Sequence, residues 1–182
     1  MLEIRFHGRG GQGTVTGAQL LAKAVVKAGQ YAQFIPAFGV ERKGSPVYGY
    51  FRMNDEVIWP KNQVYYPDGL VILDDSLYGA VPLYEGLKSP GFIVLNTKKA
   101  PEQIPEAPGY GTLVYLDATG IARSTVGSEI PNTVMLGALT KALPQLDSNI
   151  LAGLIEQRYG KKNREAFLAG IENAIVTAYG EG

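Results

Sequence analysis

Apolar and polar positions recur along this chain with two different periods. Leu2 to His7 is a short, mostly apolar run that stops at glycines, which predicts a first strand over 2–7 and a loop over 8–13. Val15, Ala18, Leu21, Ala22, Val25 and Val26 then recur at three- and four-residue spacing, so 14–28 reads as a helix stopped by Gly29. Residues 31–38 read as a second strand with Pro36 awkwardly inside it. Residues 47–53 and 56–59 read as a hairpin around Asn54-Asp55, a turn-forming pair.

The second half repeats one alternation. GLVILDD at 69–75 is apolar enough for a strand buried on both faces. A short helix is expected over about 76–87, then strands at 91–97 and 112–118, separated by the Pro- and Gly-rich segment 98–111. Beyond residue 119 the pattern is helical: 131–146 carries the stripe Met135, Ala138, Leu139, Ala142, Leu143 and Leu146, followed by helices at 148–159 and 162–179. Repeated β-then-α units predict an α/β fold. The expectation is a single domain spanning 1–182, with a mostly parallel sheet flanked by helices and a helical C-terminal part.

Composition narrows the chemistry. Lys+Arg is 17 and Asp+Glu is 17, a balance that argues against nucleic acid or an anionic membrane as the main partner. There is no cysteine, so this chain has no thiolate nucleophile, no disulfide and no thiolate for a cluster. His7 is the only histidine, at the end of a core strand, where a hydrogen-bonded structural role is the default. MLEIRFHG reads as a strand, not a signal peptide, and no stretch approaches the roughly 18 consecutive apolar residues of a membrane-spanning helix. A cytoplasmic protein is expected.

The stretch HGRGGQG, 7–13, carries the sharpest signal. Gly8, Gly10 and Gly13 spell G-x-G-x-x-G between a strand and a helix, a context that suits an anion at a helix N-terminus. A dinucleotide site also needs an acidic residue at the end of the second strand, and Ile35-Pro36-Ala37 stands there. Tight packing explains two or three of the glycines. It does not explain Arg9 and Gln12, which could reach a ligand or a partner chain. A second glycine-centred stretch, FGVERKGSP at 38–46, places Glu41, Arg42 and Lys43 beside Gly44. The two loops are expected to adjoin, bringing Arg9, Gln12, Glu41 and Arg42 together. Asp74 and Asp75 end a strand at the same edge, where helix capping by Asp75 or Ser76 is favoured over a metal. Asn132 and Thr133 open a helix and could face a neighbour. No acid–base–nucleophile set is found, so no catalytic and no metal-ligating residue is assigned.

IRFHGRGGQG, FGVERKGSPV and IPNTVMLGAL together resemble the gamma subunit of pyruvate:ferredoxin oxidoreductase and its 2-oxoacid:acceptor relatives. The resemblance covers nearly the whole chain, and the FGVERKGSPV form is similar to the pyruvate or branched-chain type. It implies a subunit of an enzyme that decarboxylates a 2-oxoacid oxidatively, joins the acyl group to coenzyme A and passes electrons to ferredoxin. It implies alpha, beta and delta partners that hold thiamine diphosphate and iron–sulfur clusters, with no cofactor bound by this chain alone and no activity in isolation. It places Gly8, Arg9, Gly10, Gly11, Gln12 and Gly13 on the coenzyme A side, with Glu41, Arg42, Gly44, Asn132 and Thr133 lining the site or facing partners. Phe38, Tyr48, Tyr50 and Trp59 are then candidates for a subunit interface. The competing reading is a free-standing nucleotide-binding α/β protein that uses the 8–13 loop.

Overall fold

In the first strand, β1 (Leu2–Arg9), the side chains alternate between two environments. Ile4 and Phe6 belong to a core shared with helices, while Arg5 and His7 point to the opposite face. The computed structural model describes residues 1–37, 44–105 and 111–179. After β1 come α1 (Thr14–Lys27), β2 (Tyr31–Ala37), β3 (Pro46–Asn54), β4 (Gly69–Ile72), β5 (Gly91–Asn96) and β6 (Gly111–Leu116). Then follow α2 (Ala118–Val126), α3 (Asn132–Ala142), α4 (Ser148–Tyr159), α5 (Lys161–Asn173) and β7 (Ile175–Tyr179).

The strands form one sheet in the order β2-β3-β1-β4-β5-β6-β7. Strands β1, β4, β5 and β6 are mutually parallel, as the apolar runs predict. Antiparallel pairs flank them, β3 with β1 and β2 on one side and β7 with β6 on the other. Residues from all five helices join the core cluster on one face of the sheet. The other face carries a smaller cluster of Leu70, Ile72, Ile93, Leu95 and Leu113, covered by Leu77, Leu83 and Ile104 from irregular segments. The flanking helices therefore form a single layer.

Four elements differ from the sequence reading, each for a local reason. The expected hairpin around Asn54 is one continuous strand: β3 pairs with β2 (Tyr31↔Asn54) and with β1, and 56–59 is not a strand. Pro36 is tolerated because β2 is an edge strand. The helix expected over 76–87 shrinks to the single turn Asp75–Leu77, capped by the Asp74 side chain and not by Asp75 or Ser76. Pro82 and the positive φ of Gly79 and Gly86 stop it from continuing. The helix expected over 131–146 stops at Ala142, just before Leu143-Pro144. The stretch expected to be helical to 179 leaves the helix at Asn173, and Ile175, Val176, Thr177 and Tyr179 supply the branched and aromatic residues of β7.

Two glycines set the distance between α3 and α5. A Cβ at Gly137 would strike the Phe167 carbonyl, and one at Gly170 would strike the Val134 carbonyl, so the helices touch backbone to backbone. Gly170→Ala should destabilise the fold by about 1–3 kcal/mol, because backbone cannot yield as a side chain does. Gly153, inside α4 with nothing within 4 Å of a built Cβ, provides the control. Gly153→Ala should stabilise by about 0.5–1 kcal/mol through helix propensity. Urea unfolding of both variants measures the difference, and a neutral Gly170→Ala would contradict the close crossing.

Candidate functional site

The loop after β1 emerges at the carboxyl edge of the parallel strands, beside the loop after β4. This is where the strand order reverses, since the chain runs from β1 to one side and later resumes on the other. Gly8 is required because a Cβ there would strike the Thr14 hydroxyl, and Gly13 because a Cβ would strike the Asn132 amide. Gly13 also holds φ 75 as the N-cap of α1, which has no side-chain cap. Gly11 is different: its φ is 98, it is exposed, and a Cβ would meet nothing within 4 Å. It forms the open tip of the loop.

Arg9 and Gln12 are engaged within the chain. Gln12 Oε1 accepts from the Arg9 backbone at 2.8 Å, and Gln12 Nε2 donates to Asp74 Oδ2 at 2.7 Å. Arg9 Nε donates to Ser76 Oγ at 2.9 Å, Nη2 to the Ser76 carbonyl at 3.2 Å and Nη1 to the Gly44 carbonyl at 3.0 Å. Arg9 Nε also lies 3.5 Å from Asp74 Oδ2. Burial by itself would raise the Asp74 carboxyl. Hydrogen bonds from Ser76 and Gln12 and the Arg9 charge outweigh burial and hold it below the ordinary value. Asp75 accepts from Thr97 Oγ1 at 2.7 Å and pairs with Lys99 at 3.4 Å.

The two glycine loops adjoin. The Gly10 N–H donates to the Ser45 carbonyl at 2.9 Å and the Gly44 N–H to the Gly10 carbonyl at 3.3 Å. They meet because β3 runs antiparallel to β1, pairing Arg9 with Pro46. Phe38, Glu41 and Arg42 lie outside the described residues. Asn132 is buried against Gly13 and Gly17, donating to Thr16 Oγ1 at 3.4 Å, and Thr133 is buried beside Asn163.

This arrangement disfavours the free-standing nucleotide reading. In a dinucleotide fold the strand after the first helix lies next to the first strand and presents its acidic end to the ribose. Here β3 intervenes between β1 and β2, and the crevice at the strand-order reversal is bridged by Arg9, Gln12, Asp74 and Ser76.

The helix-free face holds a feature the sequence reading missed. A cavity of about 540 Å³ lies over β1 and β3, lined by Arg5, His7, Tyr48 and Tyr50 and walled by residues 63–66 and 81–86. Its signal in the sequence was the polar member of each alternating pair in IRFH. The Arg5 and His7 residues are each only 8% exposed. His7 stacks on Tyr48 at 6.1 Å, and its Nε2 has no hydrogen-bond partner. Burial, then the Arg5 charge, pulls its pKa down from 6.5 to about 3.

The sequence profile described as pyruvate ferredoxin/flavodoxin oxidoreductase matches residues 3–173. The chain belongs to this family. It is similar to the pyruvate/ketoisovalerate oxidoreductases common subunit gamma of Thermococcus kodakarensis, at 45% identity over 177 residues, covering 92% of this chain and 96% of the relative. It is similar to the pyruvate synthase subunit PorC of Methanothermobacter marburgensis, at 46% identity over 170 residues, covering 91% and 93%. The crystal structure of the pyruvate oxidoreductase subunit PORC of Thermotoga maritima superimposes with a TM-score of 0.84 at 33% identity, covering 97% and 98%. As a gamma-type member of the pyruvate ferredoxin/flavodoxin oxidoreductase family, the chain is one subunit of a multi-subunit oxidoreductase. Among the described residues no helix is long and apolar enough to cross a membrane.

His7 gives this family member a pH dependence with a definite sign. The folded value, about 3, lies below the ordinary 6.5, so between them the unfolded chain binds a proton that the folded chain does not. Stability is therefore lost as the pH falls from about 6.5 toward 3, by at most about 1.4 kcal/mol per pH unit. Urea unfolding of the wild type and His7→Gln from neutral pH downward should show the wild type's relative stability falling below pH 6.5. A difference that is flat with pH would rule out a buried neutral imidazole.

Proposed function

We propose that this chain is the gamma subunit of a pyruvate-type 2-oxoacid:ferredoxin oxidoreductase. The enzyme converts a 2-oxoacid and coenzyme A to acyl-CoA and carbon dioxide, passing two electrons to ferredoxin. The observation that carries this reading is the near end-to-end match to gamma-type subunits, 45% identity across 96% of the relative's length. That relative is named as common to pyruvate and ketoisovalerate oxidoreductases. A subunit shared by two such enzymes does not choose the acid, so the choice falls to the other subunits.

The partners in this reading are alpha, beta and delta subunits, with ferredoxin as acceptor, in the cytoplasm. Thiamine diphosphate and iron–sulfur clusters belong to those partners. A chain without cysteine has no thiolate to hold a cluster. For coenzyme A the fit is through backbone: the exposed Gly11 tip and the N-terminus of α1, uncapped by any side chain, favour an anionic group. Arg9 and Gln12 hold that tip by fastening it to the 74–76 turn. Glu41, Arg42, Gly44, Asn132 and Thr133 complete the partner-facing side in this reading. Val57 and Trp59 are exposed, with Trp59 at 81%, which suits a surface covered on assembly. Tyr48, also expected at an interface, is exposed, whereas Tyr50 is buried.

Native purification with mass spectrometry should recover this chain with cluster-bearing subunits, and the isolated chain should be inactive. NAD should not raise its melting temperature. In the reconstituted enzyme, Arg9→Ala should lower kcat/KM for coenzyme A by roughly tenfold, about 1.4 kcal/mol, with assembly intact. Normal assembly with unchanged coenzyme A kinetics would sink the placement of the loop, without touching the subunit assignment.

A further inference from the structure

We propose that the cavity on the helix-free face binds a small organic carboxylate, with the head group paired to Arg5 and the apolar body among Tyr48, Tyr65 and Tyr66. The reading rests on a buried guanidinium without an ion-pair partner. Arg5 makes one hydrogen bond, from Nη2 to the Leu83 carbonyl at 2.9 Å, and its Nε has no partner. No carboxylate of the described residues lies within ion-pair distance of it. Glu85 also lines the cavity, and its charge is felt at Arg5, but the two do not pair. Nε is thus buried and unanswered, and the rest of the guanidinium not taken by Leu83 is left to the open cavity.

Arg52 shows what a structural buried arginine looks like in the same sheet. Its Nε donates to Glu3 at 2.8 Å, and its other nitrogens donate to Gln33 and to the carbonyls of Asn62 and Gln63. Burying a cation without a counter-charge costs several kcal/mol, and arginine cannot shed its proton to escape. An arginine kept in that state at the floor of an open cavity marks an anion site.

The surroundings fix the class of anion. His7 is neutral there, so the floor carries a single positive charge, and Glu85 adds a negative one to the lining. The lining is then neutral overall, which disfavours a phosphate dianion, and the unpaired Nε–H of Arg5 is what suits the single charge of a carboxylate. Burial, with Tyr48 and Tyr65, keeps the Tyr50 hydroxyl protonated against the pull of Arg5, so it stays a donor beside the guanidinium. Val64, Val81, Pro82 and tyrosine rings supply the apolar lining, beside Gln63 and Gly86, and the volume of about 540 Å³ lies within the usual range for small ligands. The walls are held by the chain's own contacts. Arg52 pins 62–63 from behind, and Gly86 lies so close to the Tyr65 carbonyl that a Cβ would strike it.

The test uses phenylacetate as the probe and phenylacetamide as its uncharged isostere. His7 is the only histidine, so its ring resonances report on the cavity alone. Phenylacetate added to the full chain should shift them saturably. Phenylacetamide should bind at least about tenfold more weakly, the worth of one charged hydrogen bond. Arg5→Met, shown to be folded by circular dichroism, should lose the response, and Arg5→Lys should recover part of it. No saturable shift, equal binding of the amide, or wild-type affinity in Arg5→Met would each overturn the proposal. Equilibrium dialysis of labelled phenylacetate against the assembled oxidoreductase separates the two sources of a carboxylate. Retained binding that is lost when the complex carries Arg5→Met supports a free ligand in this cavity. Binding lost on assembly overturns the proposal in favour of a partner's carboxylate side chain.

Discussion

The strand β1 must serve two unlike faces at once, and the rest of the molecule follows from that. With strands on both sides and parallel β4 as one neighbour, its side chains can only alternate. Ile4 and Phe6 face the single layer of helices, where Phe6 meets Phe34 and Phe51 edge to face. Arg5 and His7 face the side without helices, level with Leu70 and Ile72 of β4 and with Tyr50 and Tyr48 of β3. The second core therefore gives way to polar groups at β1 and β3, and the irregular segments that roof it leave a hollow there.

Inserting β3 antiparallel between β1 and β2 has a second consequence, at the strand ends. It carries the start of β3 up to the end of β1, where Gly10, Gly44 and Ser45 exchange backbone hydrogen bonds. Gly44 holds φ 87 there, in the left-handed region that favours glycine. The edge is then closed sideways by Arg9 and Gln12 on the 74–76 turn. A glycine loop that would cradle a dinucleotide in an uninterrupted parallel sheet is here a rigid corner whose one open point is Gly11.

How much of this the sequence shows depends on the range of the interaction. Strands β1, β4, β5 and β6 and helices α1 and α4 are legible because continuous apolar runs and 3.6-residue stripes are local patterns. The meeting of the two glycine loops is also legible, although the cause is an antiparallel neighbour and not a shared carboxyl edge of parallel strands. Strand β7 is missed because its residues continue a helical stripe, and only pairing with β6 selects the extended form. Arg9 and Gln12 read as outward-reaching because nothing local reveals Ser76 and Asp74, more than sixty positions away, as their partners. Arg5 and Arg52 escape notice for the same reason: an arginine inside a strand pattern reads as a solvated face until the sheet covers it.

Three arginines of one sheet now sit in three electrostatic states. Arg52 is sealed and fully answered, so it acts as a rivet between β3 and the 60–63 segment. Arg9 is half-buried and answered mainly by a hydroxyl and carbonyls, so it ties loops together while leaving charge near the edge. Arg5 is buried, holds one hydrogen bond and has no partner at Nε. A fold optimised for stability alone would replace it with an apolar residue, since exchanging buried charge for well-packed hydrocarbon is often neutral or favourable. Its neighbours Leu70 and Ile72 show that the face accepts such residues. The cation at that position is therefore a cost that packing does not explain, placed where the helix layer is absent and the cavity is open.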